Sequence, residues 1–154
     1  MLEVGSEAPA FELPTQHGDT LSLDDFEGSW VVVYFYPRAD TPGCTTEACG
    51  FRDAFDAFDE AGVEVVGISD DPVEDLAAFA DKYDLPFALL SDEDGAVATA
   101  YDSYGEKNMF GKTFDGVFRN TYVVDPSGNV ARAYEDVSPE NHAEGILLDL
   151  DDEL

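Results

Sequence analysis

One apolar stretch decides the fold of this chain: Trp30-Val31-Val32-Val33-Tyr34-Phe35-Tyr36. The side chains of a strand alternate between its two faces, and here both faces are apolar, so both must be covered by other elements. The run is also far shorter than the roughly 20 residues that a membrane-spanning helix needs. The stretch therefore predicts the central strand of a sheet that is packed between helices.

The segments around this strand predict an α/β alternation, followed by a hairpin and a last helix. Further strands are expected at 63–69, 87–90, 117–125 and 130–134, helices at 42–61, from Asp71-Pro72 onward and from Ser138-Pro139 onward, and a small hairpin between 10–13 and 20–22. Ser138 is expected to be the N-cap of the last helix and Pro139 its first residue. No repeat or linker divides the sequence. Residues 1–154 are thus predicted to form one domain of the thioredoxin-like kind, a central mixed β-sheet flanked by helices with an N-terminal β-hairpin.

The charge of the chain excludes some classes of partner. It has 35 acidic and 7 basic residues, and its formal net charge is -28. Binding to nucleic acid or to an anionic membrane needs clustered Lys and Arg, so neither is expected. Such a surface repels itself in dilute buffer, whereas at about 1 M salt the Debye length falls to roughly 3 Å. We interpret the composition as halophilic, an adaptation to a salt-rich cytosol.

Two further features indicate a cytoplasmic protein. The N-terminal residues 1–13 have no cationic start and no long apolar run, so no secretory signal is predicted. The chain has 2 cysteines, which do not make a disulfide scaffold and which fit a reducing compartment.

Cys44 occupies a position that favours an ionised thiol. It follows the central strand and falls in the first turn of the helix predicted at 42–61, with Thr41 as N-cap and Pro42 as first helical residue. The unpaired N–H groups and the helix dipole favour an anion there, and hence the reactive thiolate. Ligands of α/β sheets also bind at the carboxyl ends of strands. Cys44 shares the inward face of the helix with Ala48, Phe51, Phe55 and Phe58, whereas Cys49 lies about 140° round it and points elsewhere.

The residues alone leave alternatives open. Each cysteine could be a small buried apolar residue. A zinc site would need both cysteines with His17 and His142, but the spacing fits no usual pattern, and the histidines are expected in a turn and on an exposed first helical turn. Residues 105–113 look like a phosphate-binding loop, but five residues separate the glycines where the motif has four, and a strand follows. Nucleotide binding is therefore not predicted.

The segment 36–53 carries a family pattern. Within it, residues 37–44 read Pro-Arg-Ala-Asp-Thr-Pro-Gly-Cys. They resemble the peroxiredoxin signature P-x-x-x-T-x-x-C, and in detail the bacterioferritin-comigratory-protein, or Q-type, subfamily. Segments 5–11, 67–71, 104–107 and 119–125 are also similar to this family, so the resemblance spans nearly the whole chain.

The resemblance implies a set of catalytic roles. Cys44 would be the peroxidatic cysteine, which attacks the O–O bond of a hydroperoxide and becomes a sulfenic acid. Thr41 would hydrogen-bond the thiolate and the peroxide, Pro37 would shield the intermediate, and Arg119 would stabilise the thiolate and polarise the peroxide. Glu47 would orient Arg119. From the residues alone, Arg119 could equally be a surface charge at a sheet edge, sharing a strand face with Val117, Thr121 and Val123.

The resemblance also makes Cys49 the resolving cysteine, which would form an intramolecular disulfide with Cys44. Residues five apart on an intact helix lie roughly 8–9 Å apart at Cα, whereas a disulfide needs at most about 7 Å. The first turns of the helix are therefore expected to open after oxidation, as a local event. Position 120 is Asn where small hydroxyl residues are more usual in the family, a change expected to be minor.

The function that follows is a thioredoxin-dependent, atypical 2-Cys thiol peroxidase. It would reduce hydrogen peroxide and organic hydroperoxides without a metal or organic cofactor, and be re-reduced by thioredoxin or a low-molecular-weight thiol. Because the resolving cysteine is in the same chain, we expect a monomer. Two other readings remain open, a thiol–disulfide exchange protein, for which the Cys-x4-Cys spacing is poor, and a non-catalytic acidic binding domain.

Overall fold

A five-stranded mixed sheet forms the centre of the protein, for which a computed structural model describes residues 1–151 and 153. In chain order the strands are β1 (Glu12–Pro14), β2 (Thr20–Ser22), β3 (Trp30–Phe35), β4 (Val63–Ser69), β5 (Ala88–Ser91), β6 (Tyr104–Met109), β7 (Lys112–Val117), β8 (Thr121–Val124) and β9 (Val130–Tyr134). The helices are α1 (Pro42–Asp53), α2 (Phe55–Glu60), α3 (Val73–Tyr83), α4 (Ala96–Ala100) and α5 (His142–Leu150), with a 3-10 turn at Leu23–Phe26.

The sheet has the order β5-β4-β3-β8-β9 and places β3 in the middle. Strand β3 is parallel to β4, as β4 is to β5, whereas β8 runs antiparallel to both β3 and β9. Strands β1 and β2 form the predicted N-terminal hairpin. The prediction of a thioredoxin-like mixed sheet flanked by helices is confirmed.

Both faces of β3 are buried, as its sequence predicts. Tyr34 lies in a core with Phe51 of α1, Leu76 of α3 and Ile146 of α5. On the other face, Phe35 packs in a second core that includes Val33, Tyr101 and Tyr122. Val31 to Phe35 expose at most 1% of their surface. Because apolar surface is removed from water on both sides, this strand fixes where the sheet and its helices meet.

The helix predicted at 42–61 is in fact two helices. It breaks at Ala54, whose backbone (φ -94°, ψ 1°) leaves the helical region and whose N–H contacts the carbonyls of both Arg52 and Gly50. The apolar spacing continues across the break, with Phe51 and Phe58 both fully buried. The sequence periodicity therefore carried no sign of the interruption.

The strand predicted at 117–125 is also wrong. Strand β7 ends at Val117, β8 begins at Thr121, and residues 118–120 lie between them. There the Phe118 N–H donates to the Ser103 carbonyl and the Arg119 carbonyl accepts from Val137, outside the sheet ladder. Arg119 therefore does not share a strand face with its neighbours in sequence.

Three other segments differ from the sequence-based expectations. The last helix begins at His142 with Asn141 as N-cap, not at Ser138 and Pro139, since the Ser138 hydroxyl donates to Glu140 instead. Residues 105–113 lie within a two-stranded hairpin formed by β6 and β7, which was not predicted, nor was α4. Within the described residues, no helix has the length and apolarity to cross a bilayer.

Candidate active site

The junction between β3 and α1 presents Cys44 as the sequence predicts. Thr41 is the N-cap in an extended conformation, Pro42 is the first residue of α1, and the Thr45 N–H donates to the Thr41 carbonyl at 2.8 Å. Cys44 thus lies in the first turn, where unpaired backbone N–H groups favour negative charge. Its side chain is directed inward, and only 1% of the residue is exposed.

The loop before α1 is attached to the neighbouring elements at two consecutive residues. The Ala39 N–H donates to Asp71 Oδ2 at 2.7 Å, in the loop that follows β4. The Asp40 carboxylate, on a backbone with φ +58°, accepts from Lys82 Nζ and Tyr83 OH of α3, both at 2.9 Å. Sequence reasoning missed these contacts, because they join residues that are far apart in the chain.

Arg119 contacts both Cys44 and Glu47. Its Nη2 lies 3.5 Å from Cys44 Sγ, and its Nη1 donates to Glu47 Oε1 at 2.9 Å. Burial lowers the pKa of Arg119, but the negative charges of Cys44 and Glu47 outweigh this and raise it above its ordinary value. The guanidinium therefore stays charged and can stabilise negative charge on the sulfur. Arg119 is at the site, not at a sheet edge.

Glu47 is a buried carboxyl group with incomplete pairing. Its side chain has no exposed surface, and among the residues that the structure describes none hydrogen-bonds to Oε2. Burial raises the pKa of Glu47 to about 7, although the charge of Arg119 and its hydrogen bond act in the opposite direction. The carboxyl group therefore changes its protonation near neutral pH.

Gly43 leaves space for the guanidinium. A Cβ atom at this position would lie 3.0 Å from Arg119 Nη2 and 3.7 Å from its Cζ. Because few Cβ atoms tolerate so short a contact, the missing side chain lets the cation approach the start of the helix. The lack of a side chain at Gly43 thus makes room for Arg119 next to Cys44.

Thr41 and Pro37, the other two predicted site residues, make different contacts. The Thr41 hydroxyl donates to the Arg38 carbonyl at 2.8 Å, so its proton is not directed at Cys44 in this state. Pro37 and Arg119 line a cleft of about 530 Å³. Its other lining residues are Asp102, Lys107, Phe118, Asn120, Glu135 and Asp136. This cleft gives a small molecule access to the side of Arg119 that is open to solvent.

Cys49 lies apart from these residues. Both cysteines are free thiols, and Cys49 is half-buried. It lines a groove of about 350 Å³ between α1 and the start of α5, together with Glu140, Asn141 and Ala143 among others. The two thiols therefore point to different surroundings on one intact helix, in agreement with the helical spacing.

The histidines do not join the cysteines. His17 is exposed in the β1–β2 turn. His142 was expected on an exposed turn, but its ring is half-buried against Phe51 and Tyr134, with Nε2 at 2.8 Å from Thr121 Oγ1. Burial, and then the charge of Arg119, lower the pKa of His142 to about 4. In residues 1–151 and 153, no three His, Cys, Asp or Glu side chains are grouped as a metal site would require.

Comparison with known proteins gives a consistent result. Residues 4–133 match the AhpC/TSA family. Peroxiredoxin Bcp of Escherichia coli is 47% identical over 146 residues, covering 95% of this chain and 94% of the relative. Peroxiredoxin Bcp of Bacillus subtilis is 40% identical over 151 residues, covering 98% and 96%.

Solved structures agree with this assignment. The bacterioferritin comigratory protein of Xanthomonas campestris, studied for alkyl peroxide reduction, has a TM-score of 0.90 at 36% identity and covers 98% of this chain and 99% of its own. A Xylella fastidiosa PrxQ structure has a TM-score of 0.93 at 29% identity, covering 99% and 98%. The chain belongs to the AhpC/TSA family of thioredoxin-like proteins. Within that family it is a peroxiredoxin of the Bcp, or bacterioferritin comigratory protein, group.

Proposed function

We propose that this chain is a thiol-dependent peroxidase that reduces hydrogen peroxide and organic hydroperoxides through Cys44. The observation that carries the proposal is the contact of Arg119 Nη2 with Cys44 Sγ at the first turn of α1. A thiolate is the nucleophile in thiol oxidation, and both the helix start and the guanidinium favour it. The alkyl peroxide reduction studied in the Xanthomonas campestris relative supports organic hydroperoxides as substrates.

In the first step, the Cys44 thiolate attacks the terminal oxygen of the hydroperoxide. The S–O bond forms as the O–O bond breaks, and the leaving alkoxide or hydroxide takes a proton to become an alcohol or water. Sulfur is oxidised by two electrons and the peroxide is reduced by two. Arg119 stabilises the charge that develops on the peroxide oxygens. Thr41 rotates its hydroxyl from the Arg38 carbonyl to the reacting atoms, and Pro37 limits access of water.

In the second step, the Cys49 thiol attacks the Cys44 sulfenic acid. A disulfide forms and water leaves, with no change in total oxidation state. Because the two residues lie on one intact helix, α1 must open at its first turns before the sulfur atoms can meet. The half-buried groove around Cys49 supports such an opening, since Cys49 is not enclosed in a core.

In the third step, a dithiol such as thioredoxin, or two low-molecular-weight thiols, reduces the disulfide and restores both cysteines by thiol–disulfide exchange. The cycle uses no metal and no organic cofactor. We further propose a cytoplasmic monomer from a salt-rich cell that binds neither nucleic acid nor membrane, on the grounds of its net charge of -28 and its in-chain pair of cysteines.

The test is consumption of a thiol reductant that depends on added hydroperoxide. Cys44→Ser should abolish it, and mass spectrometry after one equivalent of hydrogen peroxide should detect a Cys44–Cys49 link. Thiol oxidation that proceeds equally without peroxide would instead indicate a disulfide exchange protein. A Cys44 thiol that resists stoichiometric peroxide at high salt would exclude the proposed activity.

A further inference from the structure

Asn120 follows Arg119 directly and is buried, with 2% of its surface exposed. All four of its polar groups are used. The backbone N–H donates to the Phe118 carbonyl at 2.9 Å, and the backbone carbonyl accepts from the Phe35 N–H of β3 at 2.8 Å. A buried side-chain amide with every group satisfied resists movement, because each lost bond would leave a polar group unpaired.

The Asn120 amide joins two segments that do not otherwise belong to one element. Its Nδ2 donates to Ser103 Oγ at 3.0 Å and lies 3.5 Å from the Asp102 carbonyl, both just before β6. Its Oδ1 accepts from the Asp136 N–H at 3.0 Å, between β9 and α5. A backbone N–H can only donate, so it fixes which end of the amide is oxygen. Asp136 itself has a φ of +49°. This strained turn is thus held by the amide.

The guanidinium of Arg119 is held by Glu47, whereas the backbone of Arg119 depends on the bonds made by the residues around it. It lies in residues 118–120, outside the sheet ladder, and its carbonyl accepts one bond, from the Val137 N–H at 2.8 Å. Its guanidinium must nevertheless stay within reach of Cys44 Sγ, at 3.5 Å. Electrostatic stabilisation depends on preorganised geometry, so movement of the loop at residues 118–120 would weaken the effect of Arg119.

We propose that Asn120 is a positioning residue, whose amide holds the backbone of Arg119 so that the guanidinium stays against Cys44. The inference rests on the proposed peroxidase function, and it replaces the expectation that Asn at this position is a minor change. A serine has one side-chain oxygen on a shorter side chain and cannot reach both Ser103 and Asp136. At least one of the two bonds is then lost.

The primary test compares Asn120→Ser with the wild-type protein. The rate of Cys44 oxidation by hydrogen peroxide is measured by rapid quenching with an alkylating agent and mass spectrometry, in high salt. We expect a fall of about tenfold, which corresponds to about 1.4 kcal/mol. In an Arg119→Met background, Asn120→Ser should cause no further fall, because a positioning effect needs the group that is positioned.

Gln16 provides a matched control. It is also a buried amide that joins two backbone groups, the Phe87 carbonyl at 3.1 Å and the Leu89 N–H at 2.9 Å. These groups lie just before and within the edge strand β5, away from Cys44. Gln16→Ser should lower the melting temperature without changing the rate of Cys44 oxidation. If it slows oxidation as much as Asn120→Ser, or if Asn120→Ser acts equally in the Arg119→Met background, the proposal is overturned.

A second variant covers the case in which Asn120→Ser does not fold. Ser103→Ala removes the nearer acceptor of Asn120 Nδ2 and leaves only the Asp102 carbonyl at 3.5 Å, so it is expected to slow Cys44 oxidation by several-fold, again without effect in the Arg119→Met background. An unchanged rate in that variant would overturn the proposal. Wild-type protein whose Cys44 is not oxidised would refute the peroxidase function itself, whereas normal wild-type oxidation with an unaffected Asn120→Ser would refute the positioning role alone.

Discussion

Arg119 and Glu47 form an ion pair, with 2.9 Å between Nη1 and Oε1, in which the carboxyl group is completely buried. Burying such a pair removes two charges from water, and the attraction between them compensates only partly. Here the compensation fails for the acid, since burial raises the pKa of Glu47 to about 7. The charge of Glu47 therefore depends on pH in the neutral range, while Arg119, which contacts Cys44, stays charged.

The first prediction concerns Glu47→Gln and stability. Folding raises the pKa of Glu47 from 4.5 to about 7, so the folded state binds more protons in this range, and the wild-type free energy of unfolding falls as pH rises through it. At about 1.4 kcal/mol per unit, this one group accounts for roughly 3 kcal/mol. The Glu47→Gln variant has no carboxyl group at this position and therefore lacks this pH-dependent contribution to stability. Denaturant titrations between about pH 5 and about pH 8 should therefore diverge, and parallel curves would contradict the assignment.

The second prediction concerns His142 and acid. Folding lowers the pKa of His142 to about 4, from 6.5, mainly through burial. Its contribution to stability is thus complete above the unfolded value and is lost as pH falls toward the folded one. His142→Gln, which can still hydrogen-bond Thr121, should flatten this acid-side loss. NMR titration of the ring tests the cause directly, and a midpoint near the ordinary value would show that the ring is hydrated.

The third prediction separates the two cysteines. Cys49→Ser should still form the Cys44 sulfenic acid, detected with a sulfenic-acid probe, but turnover through the Cys44–Cys49 disulfide, with thioredoxin as the reductant, should stall. Hydrogen exchange over residues 42–50 should be faster in the oxidised wild-type protein than in the reduced one, because α1 must open for the disulfide. Cys49→Ser, which cannot form the link, is the control. Equal protection in both redox states would speak against opening.

The fourth prediction concerns the Thr41 hydroxyl. Thr41→Val keeps the shape but removes the donor that rotates to the reacting atoms, and the rate of Cys44 oxidation should fall by up to about 10²-fold, the cost of losing one hydrogen bond to the transition state. Thr41→Ser keeps the hydroxyl and should retain most of the rate. If the valine variant reacts normally, the hydroxyl serves only the Arg38 carbonyl that it contacts in this structure.

The fifth prediction concerns salt. With 35 acidic and 7 basic residues, the folded chain repels itself unless the charges are screened. The melting temperature, followed by circular dichroism, should fall when the protein is moved from about 1 M KCl into dilute buffer. Sucrose does not screen charge, so replacing the salt with sucrose should not fully restore the melting temperature. A melting temperature independent of salt would refute the halophilic interpretation.

The sequence predicts the central sheet and the helix start well, because both depend on local signals. The apolar run of β3 and the Thr41-Pro42 start of α1 are visible in the chain itself. Arg119 is different: its neighbours suggest a strand, and only the family resemblance gave it a role at the site. Its actual position depends on bonds from Phe118 to Ser103 and from Val137 to Arg119, which no local pattern encodes.

The other errors concern a helix break, a helix start and a buried amide. Ala54 interrupts a helix whose apolar spacing is continuous. Ser138 is a residue type favoured at the N-cap, but its hydroxyl donates to Glu140. The role of Asn120 was underestimated, because its partners Ser103 and Asp136 lie on separate loops. Tertiary contacts that no local pattern encodes thus decided the outcome at Asn120, whereas at Ser138 a local side-chain bond replaced the predicted cap.

The absent side chain at Gly43 makes the reactivity of the thiol adjustable from a position that takes no part in the chemistry. Adding a single methyl group there would displace the Arg119 guanidinium, since the contact would be 3.0 Å. The electrostatic effect of Arg119 on the Cys44 sulfur therefore depends on the size of the side chain at position 43. A slower peroxide sensor can therefore be engineered on this scaffold by changing Gly43 alone, with the identity of every residue that takes part in the reaction retained.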